Sequence, residues 1–148
     1  MSITTPELIL ALKAHLESLA LVRRVVLSEL IERELSDLPK DTPLPAIALK
    51  DGDEDEPEDR LTGVLVRRLE VRVGVYTHAQ TKPGDGLLAA LELAERVRQA
   101  LHGQRLDRPE IIGARHVGGL ASGLMEEPGR LVCQKVLTFR YELMEDPS

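Results

Sequence analysis

The sequence predicts one α+β domain over residues 1–148, with a single mixed or antiparallel sheet of about four to five strands and two main helices packed on one face. Two long stretches, 63–79 and 130–144, alternate apolar and polar residues with a period of two. Two others, 6–19 and 86–102, repeat apolar residues at helical spacing. Long strands with one polar face suit a sheet covered by helices on the other.

The first helix starts at Thr4-Thr5-Pro6-Glu7. Either Thr5 caps it with Pro6 in the first helical position, or Thr4 and Glu7 form a capping box. Leu8, Leu12, Leu16 and Leu19 then mark its apolar face. The β-branched run 21–27 is a short strand candidate, and 28–38 reads as a helical turn or short helix behind Ser28. Pro39, Pro43 and Pro45 break any helix before the apolar strand 45–50. In 63–79, Leu69, Val71, Val73 and Val75 take one face, while Arg68, Glu70, Arg72 and Tyr76 take the other.

A turn at 81–86 offers Asp85 as cap for the second helix, whose apolar face reads Leu87, Leu91, Ala94, Val97 and Leu101 before Gly103 ends it. Residues 110–117 form a strand and 118–129 read as a loop. The final strand 130–144 places Leu137, Phe139, Tyr141 and Leu143 on one face.

Composition narrows the function classes. Tyr76, Phe139 and Tyr141 are the only aromatic residues, too few for the stacking platforms of single-stranded nucleic-acid modules. The formal charge is −6, and residues 51–60 carry all of it, with seven acids against Arg60. The remaining acids (25 − 7 = 18) and bases (19 − 1 = 18) balance, so no general affinity for nucleic acid is indicated. A lone Cys133 excludes an intramolecular disulfide. No apolar run reaches transmembrane length, and 1–8 lacks the features of a signal peptide. The chain reads as soluble, made in the cytoplasm and without membrane contact.

The acidic stretch opens like a calcium loop, with Asp51, Asp53 and Asp55 alternating. An EF-hand then needs Gly at position six and a bidentate Glu at position twelve, where this chain has Glu56 and Thr62. A hydrated, mobile loop at 51–60 is the expectation.

His15, His78, His102 and His116 form no metal-binding pair at i, i+4, and no zinc set is expected from them with one cysteine. Cys133 lies in a regular strand, where a small apolar role is the default. Ser122 lacks the first glycine of a nucleophile elbow, because Leu120 stands there. Gly118 and Gly123 are followed by Leu124-Met125 rather than by Lys-Ser or Lys-Thr, so a phosphate loop fails too. No catalytic residue, metal or cofactor is expected.

The runs PAIAL (45–49), LEVRVGVYTHA (69–79), LLAALELAERVRQAL (87–101), GARHVGG (113–119) and LTFRYEL (137–143), together with the first helix, resemble the tail terminator proteins of long-tailed phages and prophages, also called tail completion or minor tail proteins. The resemblance spans most of the chain and departs from the pattern in 28–43. It implies a non-enzymatic subunit of a hexameric ring. Such a ring caps the tail tube, ends its polymerisation and joins tail to head. Its partners would be copies of itself, the tube protein, a head–tail connector or neck protein, and DNA passing through the lumen without specific binding. It would assemble in the host cytoplasm and end in the virion tail.

On that reading Arg67, Arg68, Arg72 and Tyr76 are interface candidates, because their strand is too polar to be buried on both faces. Asp51, Asp53, Glu54, Asp55, Glu56, Glu58 and Asp59 would face the lumen or a partner. Two alternatives remain open. One is a ligand-binding or enzymatic α+β domain using Arg72, His78, Arg115 and His116. The other is a secretion or toxin–antitoxin adaptor that acts through strand-edge pairing.

Overall fold

The computed structural model describes residues 2–29, 31, 38, 41–56, 58–60, 64–79, 84–127 and 129–145. The chain runs α1 (Thr5–Ser18), β1 (Arg24–Leu27), β2 (Ala46–Glu54), β3 (Glu58–Arg60), β4 (Val64–His78), α2 (Asp85–Leu101), β5 (Ile111–Gly119), β6 (Gly123–Glu127) and β7 (Arg130–Glu145). The strands make one mixed sheet in the order β1-β2-β4-β7-β5, with β3 also on β4 and β6 also on β7. Only the β1–β2 pair is parallel among the described ladders. The expected α+β class holds, and among the described residues the sheet has seven strands rather than four or five.

The centre is the antiparallel β4–β7 ladder, in register from Leu65↔Glu145 to His78↔Val132. Leu69, Val71, Val73 and Val75 of β4 and Leu137, Phe139, Tyr141 and Leu143 of β7 point to one face, as their alternation predicts. Leu8, Leu12 and Leu16 of α1 cover that face together with Leu93, Ala94, Val97 and Leu101 of α2. At α1 the two capping possibilities resolve to Thr4: its hydroxyl accepts from the Glu7 amide at 3.2 Å, completing the capping box.

Four expectations need correction. The N-cap of α2 is Gly84 at φ 90°, and Asp85 is the first helical residue without a side-chain cap bond. On α2, Ala94, Val97 and Leu101 are buried as expected, but Gly86, Ala90 and Leu93 complete the buried face, whereas Leu87, Leu88 and Leu91 are exposed. Both stripes have helical spacing, and close approach at Gly86 selects between them. A Cβ there would lie 2.8 Å from Ala79 Cα and 2.9 Å from Cys133 Sγ. Thr77 Oγ1 also donates to the Gly86 carbonyl at 3.2 Å.

Third, the supposed loop 118–129 contains β6, whose residues pair from Gly123↔Gln134 to Glu127↔Arg130. Fourth, the acidic stretch is largely strand. β2 runs on through Asp51 to Glu54, and β3 pairs Glu58↔Val66 through Arg60↔Val64. A bulge between Asp51 and Glu54 lets β2 follow β4, and the Asp55 amide bonds the Arg68 carbonyl at 2.9 Å. The backbone hydrogen bonds of β4 must be met, and the backbone of the acidic stretch meets them.

Of the helical turn expected at 28–38, Ser28 and Glu29 are not helical. The Ser28 amide instead donates to the Leu49 carbonyl at 2.9 Å. Ile31 and Leu38 are buried, and residues 30 and 32–37 lie outside the described residues. Among the described residues no helix is long and apolar enough to cross a membrane.

The rotated face of α2 gives a direct test. Leu101→Ala should cost about 2–5 kcal/mol of unfolding free energy in denaturant titration. Leu88→Ala, at a side chain 65% exposed, should stay within about 0.5 kcal/mol of the parent.

Candidate functional site

The sheet face away from the helices is divided in two. At one end Ala46, Ala48, Tyr76, Val132 and Val136 pack with Ile31, Leu38 and Leu44 in a second apolar cluster. Towards the other end the same face carries charges. Arg68 stands opposite Glu142, with Nε and Oε2 4.0 Å apart, and Glu70 opposite Arg140, with Oε1 and Nη2 3.6 Å apart. Cross-strand opposite-charge pairs of this kind contribute roughly 0.2–1 kcal/mol each.

Arg72 stands opposite Thr138, and Arg115 of β5 stands opposite Arg140. Among the described residues neither Arg72 nor Arg115 has a hydrogen bond or ion pair. The face therefore offers four arginines against two glutamates, with two of the arginines free.

The interface candidates do not share this face. Arg67 alternates to the helix side, where Nε donates to Glu54 Oε1 at 2.9 Å and Nη2 to Thr5 Oγ1 at 3.1 Å. It ties the start of α1 to the sheet. Tyr76 is 0% exposed, because the second cluster covers the end of the face that the sequence marks as wet. Arg68 and Arg72 remain on the accessible part.

The acidic candidates also separate. Asp51 binds the Lys50 ammonium at 3.1 Å, and Glu54 is held by Arg67. Asp53, Asp55 and Glu56 are exposed and have no cation partner among the described residues. Glu58 and Asp59 occupy β3 opposite Val66 and Leu65.

The groups considered for small-molecule binding do not converge. Arg72 and Arg115 lie on the open face, two strands apart. His116 is on the helix side with its ring centroid 5.4 Å from that of Phe139, and its amide donates to His102 Nδ1 at 3.1 Å. His78 ends β4 opposite Val132. A groove of about 500 Å³ runs between α1 and the β1–β2 edge, lined by Pro6, Ile9, Leu10, Leu27 and Leu49. Its charged groups, Lys50 and Asp51, bind each other. No group of three or more potential metal ligands forms among the described residues.

Shifted ionisations fall on structural positions. The Arg98 guanidinium, hydrogen-bonded to exposed Glu95, lowers that carboxyl below the usual range. Burial pushes the Cys133 thiol up, the direction away from a reactive thiolate. Burial likewise pushes the Tyr141 phenol well above its ordinary value.

Sequence reasoning missed Arg140 and Glu142 as members of the charged face. The signal was available, because they alternate with Phe139, Tyr141 and Leu143. Arg115 carried no such signal, since its place depends on how β5 registers against β7.

These features define a single-sheet α+β domain with one helix-covered face and one face shared between an apolar cluster and an arginine-rich array. No protein-family model matches the chain, and no curated protein matches it. Among solved structures it is similar to a chain of the virion of a native gene transfer agent particle, with a TM-score of 0.52 and 19% identity. The alignment covers 90% of this chain and 84% of that one. At such low identity the two share a fold.

Tyr141 supplies a test of the helix-covered core. Its buried hydroxyl has no hydrogen-bond partner among the described residues, and such an orphan costs about 1–3 kcal/mol. Its folded-state ionisation is raised, so the associated stability is intact below the unfolded-state value and is lost as pH climbs above it. Tyr141→Phe should therefore be at least as stable as the parent at neutral pH. Above about pH 10, where unfolded tyrosine ionises, it should lose less stability, as read by alkaline denaturation curves.

Proposed function

We propose that this protein is a structural virion protein that caps a phage tail tube as an oligomeric ring, ends tube polymerisation and forms the head–tail joining surface. The observation that carries this reading is the likeness of fold, over 90% of the chain, to a chain of a gene transfer agent virion. The resemblance of 45–49, 69–79, 87–101, 113–119 and 137–143 to tail terminators points the same way.

The role is non-enzymatic. It requires surfaces for neighbours, and the open sheet face and the outer strands supply them. Six copies would close through a head-to-tail contact whose rotation returns on itself. The tube protein would meet one side of the ring and a connector or neck protein the other. DNA would pass without specific binding, because the charge outside 51–60 balances and the acidic stretch repels phosphate. The protein would be assembled in the host cytoplasm and carried in the virion tail.

Deleting the gene and viewing the particles by negative-stain electron microscopy tests this directly. The expected result is tail tubes of irregular excess length without attached heads, with wild-type tubes ending in a ring. Tubes of uniform length joined to heads in the deletion would refute it.

A further inference from the structure

We infer that the acidic strand extension of one copy, centred on Asp53, Asp55 and Glu56, seats on the arginine-bearing open sheet face of a second copy. This inference rests on the ring reading above. It specifies the two surfaces that meet.

Among the described residues the chain carries two unmatched charge groups of opposite sign. Asp53, Asp55 and Glu56 lie at the end of β2 and just beyond it, without a cation among the described residues. Arg72 and Arg115 stand on the open face without a carboxylate, and Arg140 beside Arg115 adds a like charge. Like charges directly opposite in a ladder are destabilising, so this face gains from an incoming anion.

The copy's own acids are poorly placed to supply it. β5, which holds Arg115, is three strands from β2 in the order β2-β4-β7-β5. At ordinary strand spacing that is about 14 Å. Arg72 is flanked across the ladder by Lys50, whose ammonium already holds Asp51. Arg115 is therefore separated from the acidic group within one molecule and can meet it between molecules.

Two different patches of one chain that complement each other make a heterologous contact, the kind that closes into a ring or extends head to tail. Charge complementarity would fix the register of the contact and speed encounter. Backbone pairing of 51–54 and 58–60 to β4 holds the acidic element in shape before it docks, which lowers the ordering cost of binding.

Charge exchange tests the pairing. One variant carries Asp53→Lys, Asp55→Lys and Glu56→Lys; the other carries Arg72→Glu and Arg115→Glu. Circular dichroism checks folding, and Arg72→Gln with Arg115→Gln replaces the second variant if it fails to fold. Self-association is read by analytical ultracentrifugation at low salt and at about 1 M, where the screening length falls to about 3 Å.

Wild type should associate at low salt and dissociate at high salt. Each reversal should weaken association by at least about tenfold. An equimolar mixture of the two reversed variants should associate again, because each then meets its complement. A wild type that stays monomeric at low salt overturns the inference, as do reversals without effect or a mixture that stays monomeric. So does capture of duplex DNA by Arg72 and Arg115 in place of a second copy. Particles whose tubes still end in rings with both variants reject this docking and leave the ring reading intact. Wild-type tubes without any ring reject the ring reading itself.

Discussion

The β4–β7 ladder is the constraint on which the rest depends. It runs without interruption from Leu65↔Glu145 to His78↔Val132, and every other strand except β1 attaches to one of its two members. Side chains alternate across a strand, so this one register decides two surfaces together. It aligns Val71 with Phe139 and Val73 with Leu137 under the helices. It also aligns Arg68 with Glu142 and Glu70 with Arg140 on the other side. A slip of one residue would bury the charges and expose the core, so packing and electrostatics enforce the same register.

The open face shows how one strand can serve two environments. Along β4 the outward positions pass from Arg68, Glu70 and Arg72 through Gly74 to Tyr76. Gly74 leaves room for the Tyr76 ring, whose hydroxyl would lie 2.7 Å from a Cβ at that position. The Tyr76 end is sealed by Ile31, Leu38 and Leu44 from the chain between β1 and β2. The middle of the strand keeps its charges, Arg68 opposite Glu142 and Glu70 opposite Arg140.

The acidic stretch is part of the sheet's edge management. Unpaired strand edges invite unwanted pairing, and charged residues along them discourage it. Asp51, Asp53 and Glu54 place carboxylates on the portion of β2 that runs beyond β1, which pairs only with Ala46–Leu49. Arg67 bridges this extension to α1 through Glu54 and Thr5. A side chain that the sequence offers for a partner thus acts inside the subunit.

The α+β class, both helices, the two long strands and most of the main core were legible in the sequence, because local periodicity records which side of an element is apolar. The failed calcium loop was legible as well, since Glu56 and Thr62 occupy positions whose chemistry is fixed. Tertiary structure decided what periodicity leaves degenerate. It chose the Gly86–Ala90–Leu93 stripe of α2 over the equally spaced Leu87–Leu91 stripe, because only glycine admits the close approach to Ala79 and Cys133. It buried Tyr76 by bringing distant residues over it, and it turned the acidic run into strand by offering it the free backbone of β4. It also brought Arg115 alongside Arg140. These outcomes depend on contacts between residues far apart in the chain, and a local pattern carries no record of them.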